Sequence, residues 1–369
     1  MPQATETILE IDLNALAHNY KYLRAKLQKN TKFLAVVKAF GYGSEASEIA
    51  TELATLGVDY FAVAYAGEGE TLRNSGIETP ILVLHPLPVN FDVIVERCLE
   101  PSIYSRKMLT EFIDYTKKKN QNSYPIHLKF NTGLNRLGFT ENDLEFIATT
   151  LAATTSVKVR SILSHLAASE DASKKDFTKK QLKRFDVISE KISAALNYKP
   201  LLHTTNTSGI INYPEAHYDM VRSGIGLYGF GNDSEENKNL HPVATLKTVI
   251  SQIHSISEGE SVGYNMGFIA EGSMKTATLP IGHADGITRA YGKGKGWVTI
   301  HGQKAPIVGN VCMDMIMVDV THIDCEEGDE VIVFGKNPSA EALSSAINSI
   351  SYELLTAVSQ RVKRVICRK

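Results

Sequence analysis

The chain lacks the features that mark secreted, membrane-spanning or nucleic-acid-binding proteins. Cysteine is scarce: Cys98, Cys312, Cys325 and Cys367 stand far apart among 369 residues, which excludes a disulfide frame and paired metal-ligand spacing and fits a reducing compartment. No metal site is expected. Net charge is nearly absent, since 39 Lys and Arg face 41 Asp and Glu for a formal charge of -2. That balance leaves no basic field for nucleic acid or anionic lipid, and the small clusters Lys117 to Lys119 and Lys174, Lys175, Lys179, Lys180 read as solvated helix faces. No apolar run approaches the roughly 20 residues that span a bilayer. The opening MPQATETILEIDL has no charged-then-apolar leader pattern, so the cytoplasm is the expected compartment. Repeats, low-complexity tracts and an obvious linker are missing as well.

What is present is an ordinary apolar share, 43% hydrophobic against 22% charged, in a chain long enough for two domains. Eight short apolar or β-branched runs, 32-37, 59-64, 80-85, 101-104, 125-130, 158-163, 201-204 and 218-222, are separated mostly by segments of helical period such as Glu45 to Leu56 and Asp176 to Leu196. Strand and helix alternating eight times predict a parallel sheet closed into a (β/α)8 barrel. A further helix, Leu13 to Gln28, is expected ahead of it with Asp12 as N-cap. After about His241 the pattern changes to short strands and Gly-containing turns, so a mainly β domain is expected from Pro242, interrupted by an amphipathic helix at Ser339 to Ile347. The expected division is 12-241 for the barrel and 242-369, with 1-11, for the β domain.

The segment Phe33 to Gly43, FLAVVKAFGYG, carries the sharpest chemical signal. A lysine at the end of an apolar strand either reaches the surface along its methylene stem or faces a pocket where its pKa drops and its amine becomes reactive. In a barrel, reactive groups gather where strands end. Lys38 follows the first run, Lys129 and Arg136 the fifth, His165 the sixth, Asn206 and Thr207 the seventh, and Arg222 closes the eighth.

VVKAFGYG resembles the segment of the alanine racemase family in which the lysine binds pyridoxal 5'-phosphate (PLP) covalently and the tyrosine hydroxyl holds its phosphate. Further blocks are similar and stand in the family's order: HLKFNTGLNRLGF at 127-139, SHLAASED at 164-171, HTTNTSG at 203-209, DMVRSGIGLYG at 219-229, SVGYNMGF at 261-268, LPIGHADGITR at 279-289, PIVGNVCMD at 306-314 and ISYELLT at 350-356. The resemblance implies a PLP-dependent enzyme interconverting L- and D-alanine by a two-base mechanism, supplying D-alanine for peptidoglycan. It also implies that the residues before about 12 pair with the β domain.

The resemblance assigns roles residue by residue. Lys38 holds the cofactor and serves as one acid/base group, and Tyr264 is the other. Racemisation needs such groups on opposite faces of the α-carbon. Tyr264 would act in the partner subunit's site, which makes a homodimer with shared active sites part of the mechanism. Tyr42, Thr207, Tyr352 and the Gly224-Ile225 backbone would cradle the phosphate, with Asn206 beside them and His165 packed against the cofactor. Arg222 would face the pyridine nitrogen, with His203 behind it. An arginine there donates without protonating the ring, which disfavours a long-lived carbanion and the transamination or decarboxylation that follow from one. Arg136 and the Met313 backbone would bind the substrate carboxylate, flanked by Cys312 and Asp314. Lys129, carbamylated in several relatives, would position Arg136. Asp171, Arg289 and Ile350 match residues of the substrate entrance.

Several positions depart from the family pattern. Thr207 stands where serine is common, Phe40-Gly41 replaces a small polar pair, Ser44 replaces histidine, Asn131 replaces aspartate and His283 replaces tyrosine. Phe40 and His283 are expected to reshape the pocket and its entrance, which loosens strict alanine specificity. The alternatives are a broader amino-acid racemase, a PLP decarboxylase, which Arg222 disfavours, and a non-catalytic PLP-binding barrel, which would lack the β domain.

Overall fold

The computed structural model describes residues 4–231 and 234–369. Its strands, in chain order, are β1 (Ile8–Asp12), β2 (Lys32–Val36), β3 (Tyr60–Val63), β4 (Ile81–Val83), β5 (Glu100–Ile103), β6 (Tyr124–Lys129), β7 (Val157–Leu163), β8 (Leu201–His203) and β9 (Met220–Ser223). They continue as β10 (Ala244–Val249), β11 (Gln252–Ile256), β12 (Ser261–Val262), β13 (Phe268–Ile269), β14 (Met274–Leu279), β15 (Trp297–Ile300), β16 (Gln303–Val308), β17 (Ile316–Asp319), β18 (Glu330–Phe334) and β19 (Lys363–Cys367).

Strands β2 to β9 form one parallel sheet in the order β8-β7-β6-β5-β4-β3-β2-β9. They are apolar nearly end to end, as strands covered on both faces must be: Phe33, Leu34, Ala35, Phe61, Ala62, Ile81, Leu82 and Val83 are fully buried. The sheet curls into a nearly closed barrel. At the seam between β8 and β9 a ladder gives way to separate bonds, Asp219 N to Leu202 O at 3.1 Å and Arg222 N to Thr205 O at 3.2 Å. The (β/α)8 barrel expected from the eight apolar runs is therefore the observed architecture, with helices such as Ala46–Thr55 and Lys175–Leu196 on its outside.

The second sheet has the order β11-β14-β17-β16-β15-β18-β10-β1-β19. The first strand of the chain lies inside it, antiparallel to β10 and parallel to β19. The first helix, Leu13–Ala25, starts at Asp12, whose carboxylate accepts from Asn14 N at 2.9 Å, and it ends three residues earlier than its periodicity predicts. The helix Ala340–Ala346 is capped by Ser339. Among the described residues no helix is long and apolar enough to cross a membrane.

Candidate active site

A cavity of about 640 Å³ opens at the C-terminal ends of the barrel strands. Eleven of the sequence-predicted residues line it: Lys38, Tyr42, Lys129, Arg136, His165, Asn206, Thr207, Arg222, Gly224, Ile225 and Tyr352. His203 is completely buried behind Arg222. Tyr264, 74% exposed, and Met313, 59% exposed, belong to the β domain and do not line the cavity within this chain. Neither do Asp171, Arg289 and Ile350.

Lys38 and Tyr42 reach the same cavity because the chain between them turns left-handed. Ala39, Phe40, Gly41, Tyr42 and Gly43 all have positive φ, from 52° to 82°. Only two of these are glycine, and each of the others costs roughly 1–2 kcal/mol in that conformation. Tertiary bonds compensate. Glu68 accepts from Ala39 N at 2.7 Å and from Ala64 N at 2.6 Å, and Arg364 of β19 donates twice to Gly43 O, at 3.0 and 3.1 Å. Phe40 turns away from the cavity, its ring lying 5.5 Å from the Arg364 guanidinium. The expectation that Phe40 reshapes the pocket is therefore corrected: the left-handed turn carries it outward.

Lys129 ends β6, and the loop after it is pinned at the neck by Phe139 N to Lys129 O at 2.8 Å and Asn131 N to Phe139 O at 2.9 Å. Asn131 Oδ1 accepts from Gly133 N and Asn135 N inside this loop, so an amide in place of aspartate still shapes it. The loop returns Arg136 to the cavity mouth. Across the barrel, Asn206 Oδ1 caps Thr207–Asn212 by accepting from Gly209 N at 2.9 Å, and Ser169 Oγ donates to it at 2.8 Å. Thr207 Oγ1 accepts from Gly226 N at 3.2 Å and lies 3.0 Å from Ser223 Oγ.

Four cations, Lys38, Lys129, Arg136 and Arg222, line the cavity without an acidic side chain among the described lining residues. The consequence is visible in their protonation. Burial, then Arg136, lowers the Lys38 pKa, opposed by Glu68. Burial, then Arg136, Arg222 and Lys38, lowers Lys129 to about 8. Burial lowers Arg222 to about 10, which leaves it charged at neutral pH. His165 and His203 are held neutral, with pKa values well below the ordinary imidazole range, by burial first and Arg222 second. Arg222 spends its donors on neutral groups: His203 Nδ1 at 2.6 Å and the carbonyls of His203, Ser164 and Thr204 at 3.1, 2.6 and 2.9 Å.

Tyr65 and His85 also line the cavity, their rings 5.8 Å apart. Both stand at the ends of the second and third apolar runs, so the strand-end rule that selected the other residues points to them as well.

The family model described as "Alanine racemase, N-terminal domain" matches residues 11–231, and "Alanine racemase, C-terminal domain" matches 243–366. This chain belongs to the alanine racemase family. It is 37% identical over 374 residues to the alanine racemase of Clostridium tetani, covering 97% of this chain and 95% of that one. Its fold matches an alanine racemase of Clostridium difficile 630 with a TM-score of 0.93 at 31% identity, over 100% of this chain and 97% of the other. It also matches an alanine racemase from Bartonella henselae with covalently bound pyridoxal phosphate, with a TM-score of 0.91 at 30% identity, over 99% and 100% of the two chains.

Pyridoxal phosphate fits the residues present. A Cβ built on Gly224 would overlap the Tyr42 hydroxyl, so the glycine is what lets main-chain and phenol oxygen converge beside Thr207 in the cradle expected for a phosphate. The crowded cations ask for anionic charge, and a phosphate and a substrate carboxylate both supply it.

Proposed function

We propose that this cavity is where the chain, as a PLP-dependent alanine racemase, interconverts L- and D-alanine, the D-isomer serving peptidoglycan synthesis. The observation that carries the reading is Lys38, with a lowered pKa, meeting three further cations in a cavity whose described lining holds no acidic side chain. Bound PLP supplies the electron-withdrawing ring that acidifies the Cα–H of an attached amino acid. Lys38 Nζ would hold the cofactor and serve as the acid/base group at one face of Cα. Tyr42 Oη, Thr207 Oγ1, Tyr352 Oη and the Gly224-Ile225 backbone would hold the phosphate. Asn206 caps the helix that presents Thr207, and His165 would pack against the cofactor. Arg222, which stays charged, would donate a hydrogen bond to it. Arg136 binds the substrate carboxylate at the mouth, and Lys129, neutral in part near its pKa of about 8, is suited to carbamylation that would hold Arg136 in place.

The second acid/base group is the partner subunit's Tyr264, in a homodimer with shared sites. Supporting this, Tyr264, Met266, Met313 and Met315 are exposed at 74%, 65%, 59% and 48%, an apolar group that a second copy would cover. The loops are built to hold this shape: Asn310 Nδ2 donates to Tyr264 O at 2.9 Å, and Ala284 N donates to Met313 O at 3.0 Å. The partner's Met313 backbone would join Arg136 on the carboxylate. His283 lies exposed beside this group, its N–H donating to Cys312 O at 2.9 Å, and is the departure that bears on the entrance. The working units are 12-241 and 242-369 with 1-11.

Chiral chromatography of alanine, serine and lysine incubated with the protein, with and without added PLP, tests the function. Equilibration of alanine from both enantiomers supports it, and no racemisation of any of the three with PLP present would overturn it.

A further inference from the structure

A line of buried polar groups crosses the barrel interior beneath the cavity. Arg222 Nη1 lies 2.6 Å from His203 Nδ1, His203 Nε2 lies 2.8 Å from Ser161 Oγ, and Ser161 Oγ lies 2.6 Å from His127 Nδ1. His127 Nε2 lies 2.6 Å from Glu100 Oε2. These five residues occupy five successive barrel strands, β9, β8, β7, β6 and β5. Register makes the line climb. Ser102 pairs with His127, which sets Glu100 two residues lower, and Ser161 pairs with Leu201, which sets His203 two residues higher. His127, Ser161 and His203 are wholly buried, whereas Glu100 opens β5 and lines a second cavity at the opposite end of the barrel with Tyr60 and Arg160.

The direction of every hydrogen bond in this line follows from its two ends. Arginine can only donate and a carboxylate can only accept. His203 Nδ1 must therefore be bare, which puts its proton on Nε2 and aims it at Ser161 Oγ. Ser161 then donates to His127 Nδ1, and His127 Nε2–H donates to Glu100. No other arrangement of neutral rings satisfies both ends. Arg222 makes no direct ion pair among the described residues, so Glu100 is the carboxylate to which this line connects it.

We propose that Glu100 is a positioning residue for Arg222, acting through His127, Ser161 and His203 to fix the direction in which the guanidinium donates. A one-way chain of bonds polarises along its length, and losing one end returns a choice of orientation to each member. With the carboxylate replaced by an amide, which both donates and accepts, His127 gains a second tautomer and the Ser161 hydroxyl a second direction. His203 is then held from one side only. The proposal rests on the reading that Arg222 faces the cofactor, but its first test does not.

That test is 15N NMR of the histidine-labelled, cofactor-loaded protein and of its Glu100→Gln variant. In the parent, His127 and His203 should each show one neutral tautomer with the proton on Nε2. In the variant, His127 should become a mixture and the His203 ring nitrogens should shift with it. A doubly protonated His127 in the parent, or a His203 unmoved while His127 changes, overturns the line. If Glu100→Gln does not fold, Ser161→Ala cuts the line in its middle and must shift His203; an unmoved His203 again overturns it. The kinetic arm expects kcat for alanine to fall roughly tenfold with KM little changed, the scale of one lost hydrogen bond. If the NMR arm succeeds while kcat is unaffected, the line exists but Glu100 does not position Arg222 for the reaction, and the proposal fails at that step alone.

Discussion

The α-carbon of Gly43 faces the carbonyl of Leu355 so closely that a Cβ there would overlap the oxygen. This contact joins the left-handed turn that ends in Tyr42 to the helix Ser351–Ala357 that carries Tyr352. Gly43→Ala must relieve both the overlap and a φ of 82°, at a combined cost of about 2–5 kcal/mol. Denaturant unfolding should show that loss, and a PLP titration of the surviving fold should show weaker binding, because the two tyrosines are separated. A variant as stable as the parent, with the same affinity, would refute the coupling.

Borohydride reduction of the PLP-loaded protein followed by peptide mapping should find the pyridoxyl group on Lys38. A pyridoxyl group on Lys129 instead would exchange the roles of the two lysines.

Arg222→Glu should slow racemisation by ~10²-fold or more, the scale seen when one preorganised donor is lost. It should also transfer the amino group of alanine slowly to the bound cofactor, releasing one pyruvate per cofactor, because a carboxylate at the ring nitrogen favours its protonation. Pyruvate detection separates this outcome from simple loss of fold. Normal racemisation without pyruvate would mean that Arg222 does not face the ring.

Acid should destabilise the fold early. His165 and His203 have folded pKa values far below their unfolded value of about 6.5, so the unfolded chain binds the extra protons. Their contribution is complete above about pH 6.5 and is lost as pH falls below it, by roughly 1.4 kcal/mol per pH unit for each ring. Urea midpoints between pH 7.5 and 5.5 should fall accordingly, and His203→Asn should flatten the slope.

Lys38→Ala and Tyr264→Phe should each be nearly inactive. Mixed under conditions of subunit exchange, they should recover about a quarter of parental activity per site, since half the dimers are mixed and half their sites are intact. Exchange proven by mass spectrometry without recovery would rule out shared sites.

Much of this was legible from residue order. The eight apolar runs coincide with β2 to β9 because strands covered on both faces must be apolar almost throughout. Their ends shift where side chains bond to the main chain: Tyr218 and Asp219 precede β9, as the Asp219 carboxylate accepts from Leu202 N. The left-handed turn was not legible, since Ala39, Phe40 and Tyr42 do not announce positive φ and the forces holding them come from Glu68 and Arg364. Helix Ser351–Ala357 is too short to show a period. The line from Glu100 to Arg222 was hidden because its members lie singly in strands far apart in sequence, where each looks like an isolated polar residue.

Strand β1 finds its parallel neighbour only in β19, so Ile8 waits for Lys363, 355 positions later by subtraction. At roughly 5–20 residues per second of synthesis, that interval is about 20 to 70 s. All eight barrel strands leave the ribosome before β10 does. During that interval β1 lacks its β19 neighbour and keeps an exposed edge, a hazard for pairing with neighbouring chains. Arg364, which clamps the turn beside Lys38, is made with β19, so that turn is secured only after strands β1 to β18 have all been made.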